Sequence, residues 1–461
     1  VYGPASLLRY NTGGTYNRGD EWNATGVGTI GTTNGYPNDV QVSNNTTINL
    51  PNGSAVDRAC ARDLIIDNGS ALYADYGGGS VKLFVGRNFD MSGNVSLGSI
   101  IGGDMYVRGN FTRNAGTFNP NGRTVFFDGP SGDQTITGVT TFDYIEVNKA
   151  ANNVVLANNI ICNLGLTLAS GKIVLGSNDI TLLNASPSAL NASSSSSYVV
   201  TNGTGAFRRA IGTLHVGQDY LLPVGNASNR QNVTVNFVTI SANNTLAARF
   251  ISGSPAGTAG LPLSENGNNI SRAANNGYWE VTAASATTDN YTGTFSANGF
   301  TDITDYTRVH LIKRSDAVSN WGLDGTHVTT TGSNLSAVLQ RTGMSGFSQF
   351  AVGGQSNLSL PVTLLSFSGY KDGSRNQLSW TTGTEINNRG FDVQRSADGI
   401  NYTSIGFVNS LATGGNSNDQ LSYRFTDNTP AGVKQYYRLR QEDLDGRSKL
   451  SNIVLINGAR P

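Results

Sequence analysis

Five aspartates near the start of the chain are of the residue type that polysaccharide cleavage requires. They are Asp63, Asp67, Asp75, Asp90 and Asp104. A glycosidase uses two carboxyl groups, one to donate a proton and one to act as base or nucleophile. None of the five forms a recurring cluster on neighbouring repeats, and Asp67 precedes an Asn-Gly turn sequence. We therefore predict no catalytic residue and a protein that is not an enzyme, with a polysaccharide-degrading β-helix enzyme as an alternative.

The three histidines of the chain form no metal-binding pattern. His310 lies in a strand of alternating apolar residues, His327 follows an Asp-Gly turn, and His215 is distant from both. The sequence contains neither an HExxH motif nor a Cys/His cluster, so we predict no metal site and no cofactor. Spacing leaves a Ser/His/Asp triad open, although no nucleophile elbow is present.

Two aspartate-glycine pairs could offer oxygen ligands to calcium or form tight turns. Asp443 and Asp445 precede Gly446, but the rest of an EF-hand loop is missing. The pair Asp398–Gly399 lies between two apolar runs. We interpret both pairs as hairpin turns, because Asp-Gly favours the backbone conformation that joins two strands.

Two cysteines, Cys60 and Cys162, invite a disulfide if the protein is exported. Matching residues follow each of them at identical offsets, in Cys60-Leu64-Ile66-Gly69-Leu72 and Cys162-Leu166-Leu168-Gly171-Val174. If both lie in one column of a stacked repeat, about five turns of ~4.8 Å would separate them by roughly 24 Å. A disulfide requires Cα atoms within about 7 Å. This interpretation therefore predicts two separate buried thiols.

The four tryptophans could form a sugar-binding platform or pack in the core. Trp279 and Trp380 lie within predicted strands, which favours the core. Trp22 and Trp321 lie in loops rich in glycine and asparagine, so we expect them to be the exposed candidates.

A repeat in the first part of the chain would position these residues. The segments Leu83–Phe89 and Met105–Phe111 are similar and lie 22 residues apart. Short strands with Gly or Asn turns at such a period bury their apolar face only when they stack. We predict a solenoid, either a right-handed parallel β-helix or a β-roll-like stack, over residues 40–185 within a first domain of residues 1–197. A β-sandwich with coincidental spacing is the alternative.

Two antiparallel β-sandwich domains are predicted after a serine-rich segment at residues 184–197, which makes the fold class all-β. For the domain at residues 198–357 the predicted strands are 220–222, 233–237, 246–250, 278–281, 291–295, 310–313 and 350–352. For the fibronectin type III-like or immunoglobulin-like domain at residues 358–461 they are 363–370, 376–381, 390–396, 403–407, 423–426, 434–442 and 449–456.

Composition restricts the partners. Lys plus Arg and Asp plus Glu number 31 each, so a nucleic acid gains no net electrostatic attraction. Charged residues make up only 13%, and the net charge is zero, which suits a protein that packs against copies of itself. The sequence contains no run of 18 apolar residues, so we predict no membrane span. The first residue, Val1, fits a chain from which a signal peptide has been removed.

Sequence runs in the last hundred residues resemble a known module. The runs are Leu360–Phe367, Leu378–Thr382, Asn388–Ser396 and Tyr436–Gly446. They are similar to the penultimate sandwich of surface and secreted proteins exported by the type IX secretion system of the Bacteroidota. Shorter runs resemble the repeat region and middle domain of the same group: Thr124–Gly129, Gln134–Gly138, Tyr144–Asn148, Leu222–Gly225 and Gly277–Val281.

The resemblance implies a secreted protein, extracellular or at the cell surface. In that group a sorting domain follows the sandwich and is removed on export. The chain ends at Pro461, where that domain would start, so the resemblance implies a processed chain, and a truncated chain would look identical. We predict a structural protein, a subunit of a surface filament, sheath or adhesive assembly that binds copies of itself. An adhesin module that binds glycans or a host surface is the alternative.

Overall fold

The computed structural model describes residues 1–17, 19–50, 57–77, 80–285, 289–355, 362, 364–385, 388–417, 419–430, 434–444 and 448–457. Of these described residues, 53% lie in strands and 3% in helices, which confirms the all-β class. Within the described residues, no helix is long and apolar enough to cross a membrane. Contacts divide the chain into two compact units: residues 1–300 with 305–354, and residues 301–304 with those from Gln355 onward.

Short strands dominate the first part of the chain, and two long strands, β16 and β17, continue around corners. The strands are β1 (Leu7–Tyr10), β2 (Thr15–Asn17), β3 (Asp39–Val42), β4 (Thr47–Asn49), β5 (Arg58–Cys60), β6 (Leu64–Ile66), β7 (Ala71–Tyr73), β8 (Leu83–Val85), β9 (Phe89–Met91), β10 (Asn94–Ser96), β11 (Met105–Val107), β12 (Phe111–Arg113), β13 (Phe118–Asn119), β14 (Thr124–Phe127), β15 (Gln134–Thr137), β16 (Thr140–Leu156), β17 (Ile160–Val174), β18 (Ile180–Leu182), β19 (Leu190–Asn191), β20 (Val199–Val200), β21 (Phe207–Ile211), β22 (Asp219–Leu222) and β23 (Val224–Gly225).

These strands, apart from β22, stack in parallel as a β-solenoid of about eight turns, which confirms the predicted solenoid. The first wall contains β5, β8, β11, β14 and β19. The second contains β1, β3, β6, β9, β12 and β15. The third contains β2, β4, β7, β10 and β13. Parallel pairing runs from β1 to β23, beyond the predicted limits of residues 40 and 185.

The predicted 22-residue repeat is confirmed by the pairing register. Leu83 pairs with Met105, and Phe89 pairs with Phe111. The repeated aromatic residues point inward, where Phe111 lies 5.1 Å from Phe89 and 5.2 Å from Phe142 between ring centroids. Stacked apolar side chains of successive turns therefore form one continuous core.

The corners of the solenoid explain the abundance of asparagine and aspartate. Asn88 Oδ1 accepts a hydrogen bond from the backbone N–H of Asn110, one turn further on, at 3.0 Å. Asn110 Oδ1 accepts the backbone N–H of Thr135 at 2.9 Å. Such side chains satisfy backbone donors that leave the strand ladder at each corner. Glycine serves where backbones approach most closely: a Cβ on Gly116, whose φ is +72°, would lie 1.9 Å from Gly93 O.

The middle region is an antiparallel sandwich. Its further strands are β24 (Val233–Phe237), β25 (Asn244–Ser252), β26 (Leu263–Glu265), β27 (Asn268–Ile270), β28 (Arg272–Ala283), β29 (Asn290–Asn298), β30 (His310–Arg314), β31 (Thr326–Ser333), β32 (Ser336–Ser345) and β33 (Gln349–Gly354). One sheet has the order β21-β25-β28-β33-β30 and the other β22-β24-β29-β32-β31. All seven predicted strands are present, whereas β21, β26, β27, β31 and β32 were not predicted.

The solenoid leads directly into this sandwich. Strand β21 pairs in parallel with β18 and antiparallel with β25, so it belongs to both. The sandwich core contains Trp279, which is fully buried and makes an edge contact with Phe295 at 5.3 Å. The core position predicted for Trp279 is thus confirmed. Short 3-10 helices lie at Asp20–Trp22, Pro187–Ala189, Thr213–His215, Tyr306–Arg308 and Thr413–Gly415.

The last unit is a second antiparallel sandwich. Its strands are β34 (Leu364–Asp372), β35 (Arg375–Thr382), β36 (Asn388–Ser396), β37 (Thr403–Asn409), β38 (Leu421–Asp427), β39 (Lys434–Asp443), β40 (Ser448–Leu450) and β41 (Val454–Asn457). One sheet contains β34, β35 and β38, and the other contains β37, β36, β39, β40 and β41. The seven predicted strands are present, the last of them divided into two. Trp380 is in the core, stacked on Tyr423 at 5.5 Å. The division into three domains stays a prediction.

Candidate ligand-binding groove and the predicted site residues

A column of stacked aromatic side chains lies on the outer surface of the first wall. Phe84, Tyr106 and Phe126 occupy equivalent positions in successive turns. Their ring centroids are 4.7 and 4.4 Å apart, and the planes are nearly parallel. In-register strands lie about 4.8 Å apart, so the pairing register itself builds the column. Glu146 takes the next position and ends it.

A groove of about 300 Å³ opens on this wall at Glu146. Tyr144, which is 40% exposed, lines it and pairs with Gly165 of the next turn. A Cβ on Gly165 would lie 2.8 Å from Tyr144 Cδ1, so glycine leaves room for the aromatic ring. Hydroxyl and amide side chains complete the lining: Thr124, Thr167, Asn184, Ser188 and Asn191.

The groove combines groups that suit a neutral saccharide. Glu146 is half-buried, and this burial raises the pKa of its carboxyl group. Carboxyl, hydroxyl and amide groups can pair with sugar hydroxyls, while an aromatic ring covers the apolar face of a sugar. Burial, and then the carboxylates of Asp104 and Asp128, raise the pKa of Tyr106 on the same wall. These carboxylates disfavour a polyanionic ligand.

The tryptophans expected to be exposed are buried, so that expectation was wrong. Trp22 is 1% exposed, and its Nε1 donates to Ala59 O at 3.0 Å. Trp321 is 2% exposed and packs against the guanidinium of Arg314 at 4.3 Å. Both loops fold back on a sheet because burying an indole ring removes a large apolar area from water.

The five candidate aspartates each accept a hydrogen bond from a neighbouring turn. The donors are the backbone N–H of Asn88 to Asp63, Gln41 to Asp67, Ser96 to Asp75, Asn114 to Asp90 and the backbone N–H of Thr124 to Asp104. Each aspartate thus has a structural role as an acceptor between turns. The absence of catalytic residues stays a prediction.

The structure brings two of the three histidines together. The rings of His310 and His327 lie 4.3 Å apart between centroids, whereas His215 lies in its own 3-10 helix. Glu265 Oε2 is 3.0 Å from His310 Nδ1. Arg341, only 1% exposed, donates two hydrogen bonds to the same carboxylate, at 2.7 and 2.8 Å. The spacing of the histidines in sequence gave no indication of this cluster.

A local signal for part of the cluster was nevertheless present. Asn266 and Gly267 join β26 to β27 with φ values of +51° and +77°, as the Asn-Gly hairpin signal predicts. This turn places Glu265 opposite Asn268. Asn268 Nδ2 lies 3.2 Å from His310 Nε2, so both ends of the hairpin contact one histidine.

The two cysteines are free and buried, which confirms the prediction of separate thiols. Their identical sequence context does not reflect equivalent positions, however. Cys60 pairs with Val85 in the first wall, and this column leads to Leu168 rather than to Cys162. Cys162 instead pairs with Phe142.

Of the two aspartate-glycine pairs, one is described. Asp398 Oδ1 accepts the backbone N–H groups of Ile400 and Asn401, both at 2.8 Å, between β36 and β37. This confirms a hairpin turn. Asp445 and Gly446, the other pair, lie outside the described residues.

Comparisons with known proteins give little. No family model matches the chain, and no curated protein matches it. Among solved structures, a β-1,2-glucanase from Parabacteroides distasonis matches with 14% identity, over 46% of this chain and 37% of that chain. The TM-score is 0.17, a likeness too slight to bear on fold or function.

Proposed function

We propose that this protein is a non-catalytic, extracellular structural and adhesive protein whose solenoid wall binds neutral glycan chains. The β-solenoid fold is compatible with a structural or adhesive role. The observation that carries the glycan proposal is the groove at Glu146, where an exposed tyrosine ring lies beside a half-buried carboxyl group and several amides. Export by the type IX pathway stays a prediction from the sequence resemblance.

Binding without cleavage is supported by the acids of the groove. Hydrolysis of a glycosidic bond uses two carboxyl groups about 5–9.5 Å apart. Glu146 is the one carboxylate among the described residues that line the groove. A single acid can hold a sugar hydroxyl, but it does not supply the acid and the base that hydrolysis needs.

Two variants of the groove test the proposal. We expect Tyr144→Ala and Glu146→Gln each to weaken binding of neutral oligosaccharides by about tenfold, equivalent to ~1.4 kcal/mol. Isothermal titration with ligands chosen from a glycan array measures this. Tyr370→Ala is the control, because Tyr370 is also an exposed tyrosine, belongs to the other unit and lies outside the groove.

Three outcomes would contradict the proposal. A glycan array without any retained sugar would remove the ligand class. Equal loss of binding in the control would place binding elsewhere. Release of shortened oligosaccharides would favour the enzyme alternative.

A second candidate function, self-assembly, is favoured by the open edges of the first solenoid turn. Within the described strands, β1 pairs only with β3, and β2 only with β4. Unpaired edge groups are templates for strand addition by another chain. The proposed partner is a second copy, which would make the protein a subunit of a filament or sheath. We expect electron micrographs to show ordered polymers that Arg9→Pro in β1 abolishes; dispersed monomers under all conditions would contradict assembly.

A further inference from the structure

A second cluster of ionisable groups lies in the middle sandwich, on strands that do not contribute to the groove. Glu265 ends the first strand of a hairpin, His310 begins β30, and His327 is the second residue of β31. One ligand atom of each lies within 4.8 Å of the others. Three different strands therefore direct a carboxylate and two imidazoles toward one point.

One imidazole nitrogen in this cluster makes no hydrogen bond with the described residues. His327 Nδ1 is shielded from solvent and has no hydrogen-bond partner among the described residues. Buried polar atoms are usually paired, so an unpaired one requires an explanation. The neighbouring His310 Nδ1 contacts Glu265 Oε2 at 3.0 Å.

We propose that Glu265, His310 and His327 bind a divalent transition-metal ion, with zinc as the best match. Two imidazole nitrogens and one carboxylate oxygen are a ligand set that zinc accepts, at about 2.0–2.2 Å from each atom. The protein ligands number three, which leaves a fourth position of a tetrahedron for water or an anionic group. The present separations of up to 4.8 Å require the ligands to close by small side-chain movements.

The protonation states favour metal binding at neutral pH. Burial lowers the pKa of His310 and of His327, so both imidazoles are neutral and keep a lone pair for a cation. When a metal takes the position of the proton on His310 Nδ1, that proton moves to Nε2. The Asn268 amide then turns, so that its oxygen accepts the hydrogen bond from Nε2.

Arg341 has two opposing effects on the proposed site. Its two hydrogen bonds fix the orientation of the Glu265 carboxylate, as partners of metal-ligating carboxylates do. Its positive charge opposes a dication, because it already neutralises that carboxylate. The fourth ligand should therefore be anionic, either a hydroxide or a carboxylate from outside the chain.

The test uses the full chain, freed of metal with a chelator, and titrates it with zinc. We expect one zinc ion per chain, with Co²⁺ giving the visible absorption of a tetrahedral site. His327→Gln, at the partly exposed ligand, should weaken zinc binding by more than about tenfold. His215→Gln is the matched control, because it removes a histidine that lies outside the cluster. Near-ultraviolet circular dichroism confirms that each variant is folded.

Two results would overturn the metal site. Wild-type chain that takes up no zinc at millimolar concentration has no site. Equal zinc affinity of wild type and His327→Gln would mean that the ion binds elsewhere. If His327→Gln does not fold, His327→Ala, which also leaves the pair of Arg341 and Glu265 intact, replaces it under the same criteria. Neither result depends on whether the solenoid groove binds glycans.

Discussion

The solenoid wall and the middle sandwich place side chains by opposite routes. On the wall, the same position of each turn aligns, so Phe84, Tyr106 and Phe126 form a column of like residues. In the sandwich, strands distant in sequence bring Glu265, His310 and Arg341 to one point. Repetition distributes similar groups along an axis, whereas non-local pairing concentrates unlike groups. A single substitution should therefore cost more in the sandwich than at a solenoid corner.

The largest effect is expected at the buried ion pair of the sandwich. Arg341→Ala leaves the carboxylate of Glu265 without its cationic partner, and we expect the free energy of unfolding to fall by about 3–5 kcal/mol. Chemical denaturation in chelator measures the loss. Adding Glu265→Gln should recover part of it, because no buried charge then remains.

An exposed ion pair provides the control for Arg341. Arg308, which is 52% exposed, pairs with Asp305 at 3.4 Å, and Arg308→Ala should cost less than about 1 kcal/mol. Similar losses in the free energy of unfolding for Arg341→Ala and Arg308→Ala would show that the ion pair in the sandwich stabilises the fold no more than an exposed ion pair does.

A smaller effect is expected at the corners of the solenoid. Asn88→Ala and Asn110→Ala each remove one acceptor for the backbone of the next turn, at a cost of about 0.5–1.5 kcal/mol. Because the two asparagines have the same role in successive turns, the two losses should be nearly equal. Urea denaturation of both variants measures this, and a difference above ~1 kcal/mol would break the equivalence of turns.

Near neutral pH, the smallest effect on stability is expected from titration of the two thiols of the solenoid. Burial raises the pKa of Cys60 and of Cys162 from 9.0 to about 12. The folded state thus holds these protons more tightly. The stability that these protonated thiols contribute to the folded state is complete below pH ~9 and declines as the pH rises toward 12. At pH 8 we expect no reaction with a thiol reagent until the chain unfolds, and then two thiols per chain; rapid labelling of the folded protein would contradict this.

Much of the fold followed from local patterns. The 22-residue repeat predicted the pairing of Leu83 with Met105, because two similar segments one turn apart align their matching residues. The alternating runs of both sandwiches predicted most of their strands. The sandwich strands that were not predicted, β21, β26, β27, β31 and β32, include polar segments such as Thr326–Ser333, whose burial pattern is largely exposed.

The candidate sites were mostly invisible in the sequence. Cys60 and Cys162 have identical neighbours yet occupy different columns, because corners of unequal length shift the register between turns. Tyr144 and Glu146 were part of a strand motif, but the groove depends on Asn184 and Asn191 from later turns.

The sequence by itself determined that this chain forms stacked and antiparallel strands with polar turns, since apolar alternation and turn residues act over a few positions. Only the tertiary structure decided which side chains meet: His327 contacts His310, and Arg341 contacts Glu265, each from a separate strand. The physical reason is that such contacts depend on the packing and register of whole sheets, which no local spacing specifies.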